Sequence, residues 1–411
     1  MKTIQVEISA ACGTNGLPPQ LLAQVGPAFD WHADEHNAFN LVAMTTAPPT
    51  YVGFSLADTW AHMRYFAAID PGNNHLSLRR EWNELDPHQK TILADDWGVG
   101  FPLLYLMEQL DLVHLAPTGY WIKSIEEALG VKIPLKKSKH GPPKLPDFVA
   151  FDTSGRYHAI ECKGTQTSRR SLMSAITRGF AQVDNLRQGG ALPGNVHAYF
   201  DSWLVAGLFV PSARSSTRPL LHIADPDFSE LSRVIDEFGG INVLRRAIFV
   251  TSLCQQLSCV GLRRLASAVF TGRTLPGDDE LLRIEGEMTR EARIGGFFRE
   301  GEKLVTTRET QVFDPPRRGA KGQMHDVKAS FSAPAPLVES LTDAIGLNGQ
   351  VNRQVLDARL DELLNSIPGA EPSLQRRQTR LRTPWAATQQ DDLHQLTSPF
   401  GIEISSGTSM V

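Results

Sequence analysis

Alternation of apolar and polar residues marks two short segments near the middle of the chain. Residues 147–151 (DFVAF) and 156–164 (RYHAIECKG) both follow a period of two, which is typical of β-strands. The four residues between them, 152–155 (DTSG), are of types that favour a turn. The pattern therefore predicts a β-hairpin over 147–164.

Helical spacing of apolar residues precedes this hairpin. The segment 94–113 predicts a largely buried helix whose first residues include Asp95 and Asp96. Acids are favoured at that position because the N-terminus of a helix carries a partial positive charge. A shorter helix, 122–129, is predicted to end at Gly130.

Helix and strand patterns alternate after the hairpin. Thr167 or Ser168 can cap a helix that continues to about residue 187. Two strand candidates, 203–210 and 220–224, follow this helix, and another, 3–8, lies near the start of the chain. Strands that alternate with helices in this way predict an α/β fold.

Length and changes of pattern divide the chain further. A chain of 411 residues exceeds the size of a usual single domain. A helical pattern occurs at 55–69, and weak alternation occurs at 297–313. We predict four regions: an N-terminal region over 1–88, a core over 89–228, a mainly helical domain over 229–366, and a polar, extended or disordered tail over 367–411.

Three charged residues fall at matching positions of the predicted hairpin. Asp147 opens the first strand, and Glu161 and Lys163 stand two apart near the end of the second. A period of two places Glu161 and Lys163 on the same face. Because the end of the second strand returns beside the start of the first in an antiparallel pair, we expect Asp147 near Glu161. Two carboxylates and one ammonium then converge.

A divalent cation would compensate for the repulsion between the two carboxylates, which otherwise raises the pKa of both. Mg²⁺ prefers oxygen ligands and often takes only one or two carboxylates together with a substrate phosphate. A cation held by Asp147 and Glu161 can acidify a water molecule and polarise a phosphodiester. Lys163 would orient that water or help to deprotonate it. Phosphodiester hydrolysis is the predicted chemistry.

These residues resemble the signature of a nuclease superfamily. Pro146-Asp147, thirteen intervening residues and Glu161-Cys162-Lys163 are similar to the motif of the PD-(D/E)xK, restriction-endonuclease-like nucleases. The resemblance implies an α/β fold with an αβββαβ core, in which helices flank a mixed central sheet. To this core the sequence pattern adds mainly helical N- and C-terminal regions. It covers most of the predicted core.

The resemblance also assigns supporting residues. Members of the superfamily commonly add an acid from the helix before the sheet. The candidates here are Asp95, Asp96, Glu108, Glu126 and Glu127, and we favour Asp96 as this third metal ligand. Many carry a glutamine on the helix that follows the lysine, and Gln182 is expected to support the site there. The implied cofactor is Mg²⁺, for which Mn²⁺ can substitute.

The expected substrate is DNA, and an endonuclease of restriction or anti-phage defence is the expected setting. RNA stays open as a substrate, and so do a homodimer and a partner protein. The net charge of −4 disfavours a general electrostatic DNA binder, so contact with nucleic acid would be local. The basic candidates for that contact are Lys144, Arg169 and Arg170.

Two alternative functions stay open. A nuclease fold that has lost its activity would serve as a nucleic-acid-binding or assembly module. The segment His32-Ala33-Asp34-Glu35-His36 matches the H-x-x-E-H spelling of inverzincin metalloproteases. In that family the two histidines bind zinc from one helix face and the glutamate acts as the base. The apolar helical surroundings usual in that family are missing here.

A second (D/E)xK spelling, Asp326-Val327-Lys328, follows a segment rich in proline, glycine and charge. That segment predicts a loop without a hairpin partner. The pattern therefore favours the set around Asp147.

The composition of the chain argues against several other classes of protein. The hydrophobic share of 41% and charged share of 21% are those of an ordinary globular chain. The four cysteines form no CxxC pair, so neither a disulfide framework nor a zinc finger is predicted. The first twelve residues contain no long apolar run, which argues against a signal peptide and a membrane partner. We expect a cytoplasmic protein.

Overall fold

The chain divides into two units that each contain a β-sheet. The first unit comprises Met1–Val42 and Ala68–Ile248, and the second comprises Ala43–Ala67 and Phe249–Val411. The computed structural model describes residues 1–10, 16–50, 68–130, 132, 144–188, 200–226, 240–273, 297–314, 323–345, 350–366, 386–390, 393–400 and 402–410.

A mixed sheet of seven strands forms the centre of the first unit. Its strands are β1 (Lys2–Ala10), β2 (Phe29–Ala33), β3 (Leu112–Pro117), β4 (Phe148–Asp152), β5 (Tyr157–Thr165), β6 (Ser202–Phe209) and β7 (Leu220–Asp225). Their order is β2-β1-β7-β6-β5-β4-β3. The pairs β1–β7 and β5–β6 are parallel, and the other pairs are antiparallel. The predicted α/β class is confirmed.

Helices flank this sheet. They are α1 (Pro19–Leu22), α2 (Glu35–Thr46), α3 (Pro87–Leu110), α4 (Thr118–Leu129) and α5 (Arg169–Gln188), with a short 3-10 helix at Arg80–Glu84. Every residue of β4, β6 and β7 is buried, as expected for strands that are covered on both faces. No helix in the described ranges combines the length and the apolar composition needed to cross a membrane.

α3 begins two turns earlier than the apolar pattern predicts. The Asp86 carboxylate accepts the N–H of His88 at 2.8 Å, and Pro87 occupies the first helical position, where a missing N–H costs nothing. Asp95 and Asp96 therefore lie in the third turn, and the prediction that they sit at the helix N-terminus is wrong. The start of the helix carries no apolar periodicity because residues 88–91 are polar (HQKT).

α3 also ends earlier than predicted. Asp111 adopts a left-handed backbone with φ 52°, which terminates the helix, and β3 begins at the next residue. The prediction that the helix continues to residue 113 is wrong. The next helix, α4, is confirmed, and Gly130 ends it with φ 66°, in the left-handed region that favours glycine.

The predicted hairpin is formed by β4 and β5. Phe148 pairs with Ile160 and Phe151 pairs with Tyr157, in antiparallel register. In the turn, the Asp152 carboxylate accepts the N–H groups of Ser154 and Arg156. Local turn chemistry therefore supports the register that the alternation predicts.

α5 confirms the helix predicted after the hairpin. The Ser168 hydroxyl accepts the N–H of Ser171 at 3.0 Å, so Ser168 provides the cap. Leu172, Ile176 and Val183, at spacings of four and seven, are buried. The strand candidates after this helix are confirmed as β6 and β7.

The N-terminal residues contribute to the same sheet as the core. β1 lies between β2 and β7, and its register pairs Gln5 with Leu220 and Ala10 with Asp225. Residues 1–42 and 68–88 therefore lie in the same unit as the core, whereas Ala43–Ala67 lie in the second unit. A helix is predicted at 55–69, and residues 55–67 of it lie outside the described part of the chain.

The second unit contains a six-stranded antiparallel sheet, in contrast to the mainly helical domain and the polar tail that were predicted. Its strands are β8 (Phe297–Glu300), β9 (Lys303–Asp314), β10 (Gln323–Pro334), β11 (Ala386–Gln390), β12 (Leu393–Thr397) and β13 (Glu403–Met410), in the order β11-β12-β13-β10-β9-β8. Its helices are α6 (Gly240–Cys259), which begins in the first unit, α7 (Arg263–Thr271), α8 (Ala335–Asp343) and α9 (Arg353–Ser366). Polar segments of the tail can form strands because strands pair through backbone hydrogen bonds, which do not depend on side-chain polarity.

The second (D/E)xK spelling lies on β10, which pairs with β9 in a hairpin. The prediction that it lacks a hairpin partner is therefore wrong. The residues opposite Asp326 are Gln311 on β9 and Ser409 on β13. Neither residue is an acid, so this strand does not repeat the pairing of two carboxylates.

Two glycines allow α3 to approach β5 closely. A methyl group added at Gly164 would overlap the carbonyl oxygen of Ala94, and one added at Gly98 would overlap the backbone of Gly164. Backbone atoms cannot move aside as a flexible side chain can. This contact fixes the third turn of α3, which carries Asp95, against the end of β5.

We expect Gly164→Ala to destabilise the protein by about 1–3 kcal/mol, because the added methyl group forces α3 away from β5. The matched control is Gly119→Ala in α4, where no atom lies within 4 Å of the added methyl group. This control should gain up to about 1 kcal/mol, since alanine favours a helix over glycine. Urea unfolding of both variants measures the difference, and equal stabilities would contradict the contact.

Candidate active site

Asp147 and Glu161 face each other at the open end of the hairpin. The Asp147 N–H donates to Oε2 of Glu161 at 3.0 Å, and the Cys162 N–H donates to Oδ2 of Asp147 at 2.8 Å. Each carboxylate is therefore held by an N–H group of the opposite strand. The structure brings together the two acids that the sequence places in the site.

Lys163 completes the group. Its Nζ donates to Oε1 of Glu161, as the period of two along β5 leads one to expect. The Glu161 side chain is fully buried, whereas that of Lys163 is 21% exposed. The ammonium can therefore reach solvent while the carboxylate behind it cannot.

A cavity of about 630 Å³ opens where β5 continues past the beginning of β4. The ladder between β4 and β5 starts at Phe148 and Ile160, but β5 runs on to Thr165 beside β6. Asp147, Cys162, Lys163 and Gly164 line the cavity on the side of the sheet, together with Lys144. α3 adds Asp95 and Val99, and α5 adds Ala175, Arg178, Ala181 and Gln182.

Asp95, rather than the favoured Asp96, is the acid that α3 contributes to this cavity. Adjacent helical residues point about 100° apart, so only one of them can face the site. Burial raises the pKa of Asp95, and the Lys163 ammonium opposes this effect. Asp95 in turn contributes to the raised pKa of Asp147.

Gln182 and Lys144, two residues that the sequence analysis names for the site, line the cavity. The Gln182 amide donates to the carbonyl oxygen of Leu145 at 3.4 Å. This contact ties α5 to the segment that leads into Asp147, so Gln182 supports the entry to β4.

The two predicted basic contacts at the start of α5 lie elsewhere. Arg169 donates to Oε1 of Gln5 at 2.6 Å and to the carbonyl oxygen of Arg218 at 3.1 Å, so it joins α5 to β1. Arg170 is exposed and does not line the cavity. Both predictions came from a charge run, which does not specify the direction of the side chains. Arg178, which the sequence analysis missed, lies four residues before Gln182 and therefore on the same helix face.

The H-x-x-E-H segment does not form a zinc site on one helix. His32 lies on β2 and bonds the hydroxyl of Thr3 at 3.1 Å, whereas Glu35 and His36 lie in α2. Asp34 caps that helix by accepting the N–H of His36. The helix starts too late to present both histidines from one face, so the segment does not form the helical arrangement on which the metalloprotease alternative depends.

The electrostatics of the site favour protonated acids. Burial, and next the neighbouring Asp147, raise the pKa of Glu161 to about 8. Burial also raises the pKa of Asp147, although the Lys163 ammonium lowers it. Burial raises the pKa of the Cys162 thiol well above its ordinary range, so this cysteine is no thiolate nucleophile.

Two carboxylates lie side by side at the cavity wall: Asp147 lines the cavity, and Glu161 is buried behind Lys163. Among the described residues, no three His, Cys, Asp or Glu side chains are arranged to hold a metal by themselves. Asp147 and Glu161 nevertheless suit a cation that takes one or two carboxylates and completes its shell with water and phosphate, as Mg²⁺ does. Burial raises the pKa of both groups, and a divalent cation would lower the two pKa values by stabilising the charged forms.

No family model, curated protein or solved structure matches this chain. The comparisons therefore supply neither a family nor a fold relative. What the site can do has to be argued from the side chains themselves.

We expect Glu161→Gln to stabilise the protein at alkaline pH without divalent cations. The folded protein holds the Glu161 proton up to about pH 8, whereas the unfolded chain releases it near the ordinary value of 4.5. The free energy of unfolding of the wild type therefore falls as the pH rises between these values. At pH 8.5 the variant should be more stable by at least about 1.4 kcal/mol, the equivalent of one pKa unit.

Thermal and urea unfolding at pH 5 and pH 8.5 measure this effect. The difference between variant and wild type should be small at pH 5 and larger at pH 8.5. Added Mg²⁺ should stabilise the wild type more than the variant. A stability difference that is independent of pH would show that Glu161 is not the group that titrates.

Proposed function

We propose that this chain is a Mg²⁺-dependent nuclease that hydrolyses phosphodiester bonds of DNA. The observation that carries the proposal is the convergence of Asp147, Glu161 and Lys163 at a polar cavity, in the spacing of the PD-(D/E)xK motif. A surface hairpin with an ordinary ion pair would leave its charges in solvent. Glu161 is instead fully buried, and charges are seldom placed so without a function.

The order of the elements around the site supports the same proposal. α3, β3, β4, β5, α5 and β6 follow one another as helix, three strands, helix and strand, with α4 inserted between β3 and β4. The three strands form an antiparallel meander, and α5 makes the crossover to the parallel strand β6. Apart from the inserted α4, this order agrees with the αβββαβ core that the resemblance implies, which supports the proposal.

Asp147 and Glu161 would hold the Mg²⁺ ion. When bound, it supplies Lewis acidity that acidifies water and offsets the charge that develops on the phosphate. The Asp147 N–H holds the Glu161 carboxylate in place, and the Cys162 N–H holds the Asp147 carboxylate. Both ligands are thus oriented before substrate arrives, which lowers the reorganisation that the reaction requires.

Lys163 has the reach to act on the attacking water. Its ammonium is partly exposed at the cavity and is bonded to the buried Glu161. From there it can orient a water molecule and offset negative charge on the phosphate. Asp95 faces the same cavity and can bind a water molecule of the metal shell.

The biological setting stays a prediction. Restriction or anti-phage defence is the setting that we propose, and RNA is the alternative substrate. A nuclease fold without activity is the alternative function, and it would bind nucleic acid without cutting it. The three intact charged residues favour the enzyme, since each of them would be dispensable in a binding module.

We expect Asp147→Asn and Lys163→Met each to lower the rate of plasmid nicking with Mg²⁺ by about 10²-fold or more. The first substitution removes a metal ligand, and the second removes the group that acts on water. The matched control is Lys328→Met in the second (D/E)xK spelling, which should cut like the wild type. If both site variants nick supercoiled DNA as fast as the wild type, the site assignment is wrong; a wild type that binds but never cuts DNA or RNA favours the binding module.

A pair of adjacent substitutions distinguishes the two acids of α3. Asp95→Asn should lower the nicking rate by about tenfold or more, because Asp95 faces the cavity. Asp96→Asn should have a much smaller effect, since its side chain does not line the cavity. The Mg²⁺ concentration at half-maximal rate should rise only for Asp95→Asn. The reverse ranking would restore Asp96 as the helix-borne acid.

A further inference from the structure

α5 forms one wall of the cavity, and this wall carries the guanidinium of Arg178. Arg178 lines the cavity and is exposed to solvent. Ala175 and Ala181, three residues to either side, line the same wall, and their short side chains leave room around Arg178. Within the described part of the chain, no hydrogen bond or ion pair engages its guanidinium. The arginine is therefore available to a ligand in the cavity.

A second cation lies next to this wall. Lys144 lines the cavity and directly precedes Leu145, whose carbonyl oxygen accepts the Gln182 amide. Gln182 stands one turn after Arg178 on α5. The contact between Gln182 and Leu145 therefore brings the segment of Lys144 against the helix that carries Arg178.

When its acids are all ionised, the site carries equal numbers of positive and negative charges. Lys144, Lys163 and Arg178 supply three positive charges. Asp95 and Asp147, with Glu161 behind Lys163, supply three carboxylates. A divalent cation, which the proposed function requires, would leave an excess of two positive charges. Such an excess attracts an anion that bears more than one phosphate, as a polynucleotide does.

We propose that Arg178, together with Lys144, binds the backbone phosphate next to the one that is cut, so that the polynucleotide runs along the α5 wall. This inference rests on the proposed function. A guanidinium matches a phosphate with two parallel hydrogen bonds, and an ammonium adds a point charge. Such contacts position the strand and carry no base sequence. Arg178 and Lys144 are therefore positioning residues, distinct from the pair that would hold the metal.

The test measures binding without cleavage. A short, fluorescein-labelled single-stranded oligodeoxynucleotide is titrated in Ca²⁺ buffer over a range of salt concentrations, and a gel checks that it stays intact. Arg178→Gln should weaken binding about tenfold and lower the slope of log affinity against log salt by about 0.7. The double variant with Lys144→Gln should lower the slope by about 1.4. The loss should be equal for oligonucleotides of unrelated sequence.

The matched control is Arg214→Gln, which removes an exposed arginine of the same unit that does not line the cavity. It should keep the wild-type slope. The inference is overturned if Arg178→Gln and Arg214→Gln have equal slopes, if the loss depends on base sequence, or if the wild type binds no nucleic acid.

The two proposals can fail separately. If the wild type cuts DNA through Asp147 but Arg178→Gln leaves the salt slope unchanged, only the phosphate-binding role of Arg178 is wrong. If the wild type never cuts but its binding depends on Arg178, the nuclease activity is wrong and the contact stands.

Discussion

In the antiparallel register of β4 and β5, Phe148 faces Ile160, and Asp147 consequently faces Glu161. Two backbone N–H groups then hold the two carboxylates, and hydrogen bonds to charged groups are among the stronger ones, at about 1.5–3 kcal/mol each. A slip of one residue would turn Glu161 to the other face of the sheet. The cavity, its charge balance and the position of Lys163 all depend on this register.

The same pairing costs stability. Burial raises the pKa of both Asp147 and Glu161, and the Lys163 ammonium compensates only in part. A site built only for stability would replace such a pair by apolar residues. Destabilising burial of neighbouring acids is expected at sites where a protein binds a ligand. Under the proposed function, a bound cation would offset this electrostatic cost.

Glycines determine how closely α3 and α5 approach the carboxylates of Asp147 and Glu161. Gly98 and Gly164 let α3 approach one face of β5, which brings Asp95 to the cavity. On the other side, Gly179 lets α5 approach β5 and β6: a methyl group added there would lie 2.7 Å from Val205 and 3.2 Å from Glu161. α5 thereby carries Arg178 to the opposite wall. The width of the cavity is a result of backbone packing.

Local signals in the sequence determined the hairpin, the cap at Ser168, the stop at Gly130 and the meeting of Asp147 with Glu161 and Lys163, because each depends on neighbours in the chain or on one tight turn. Tertiary structure alone decided that Asp95 rather than Asp96 faces the cavity, that Arg169 joins α5 to β1, and that Arg178 reaches the site. It also decided that β1 and β2 extend the central sheet and that polar segments near the C-terminus form strands. The reason is that side-chain direction on a long helix, and pairing between distant strands, depend on partners that no local pattern specifies.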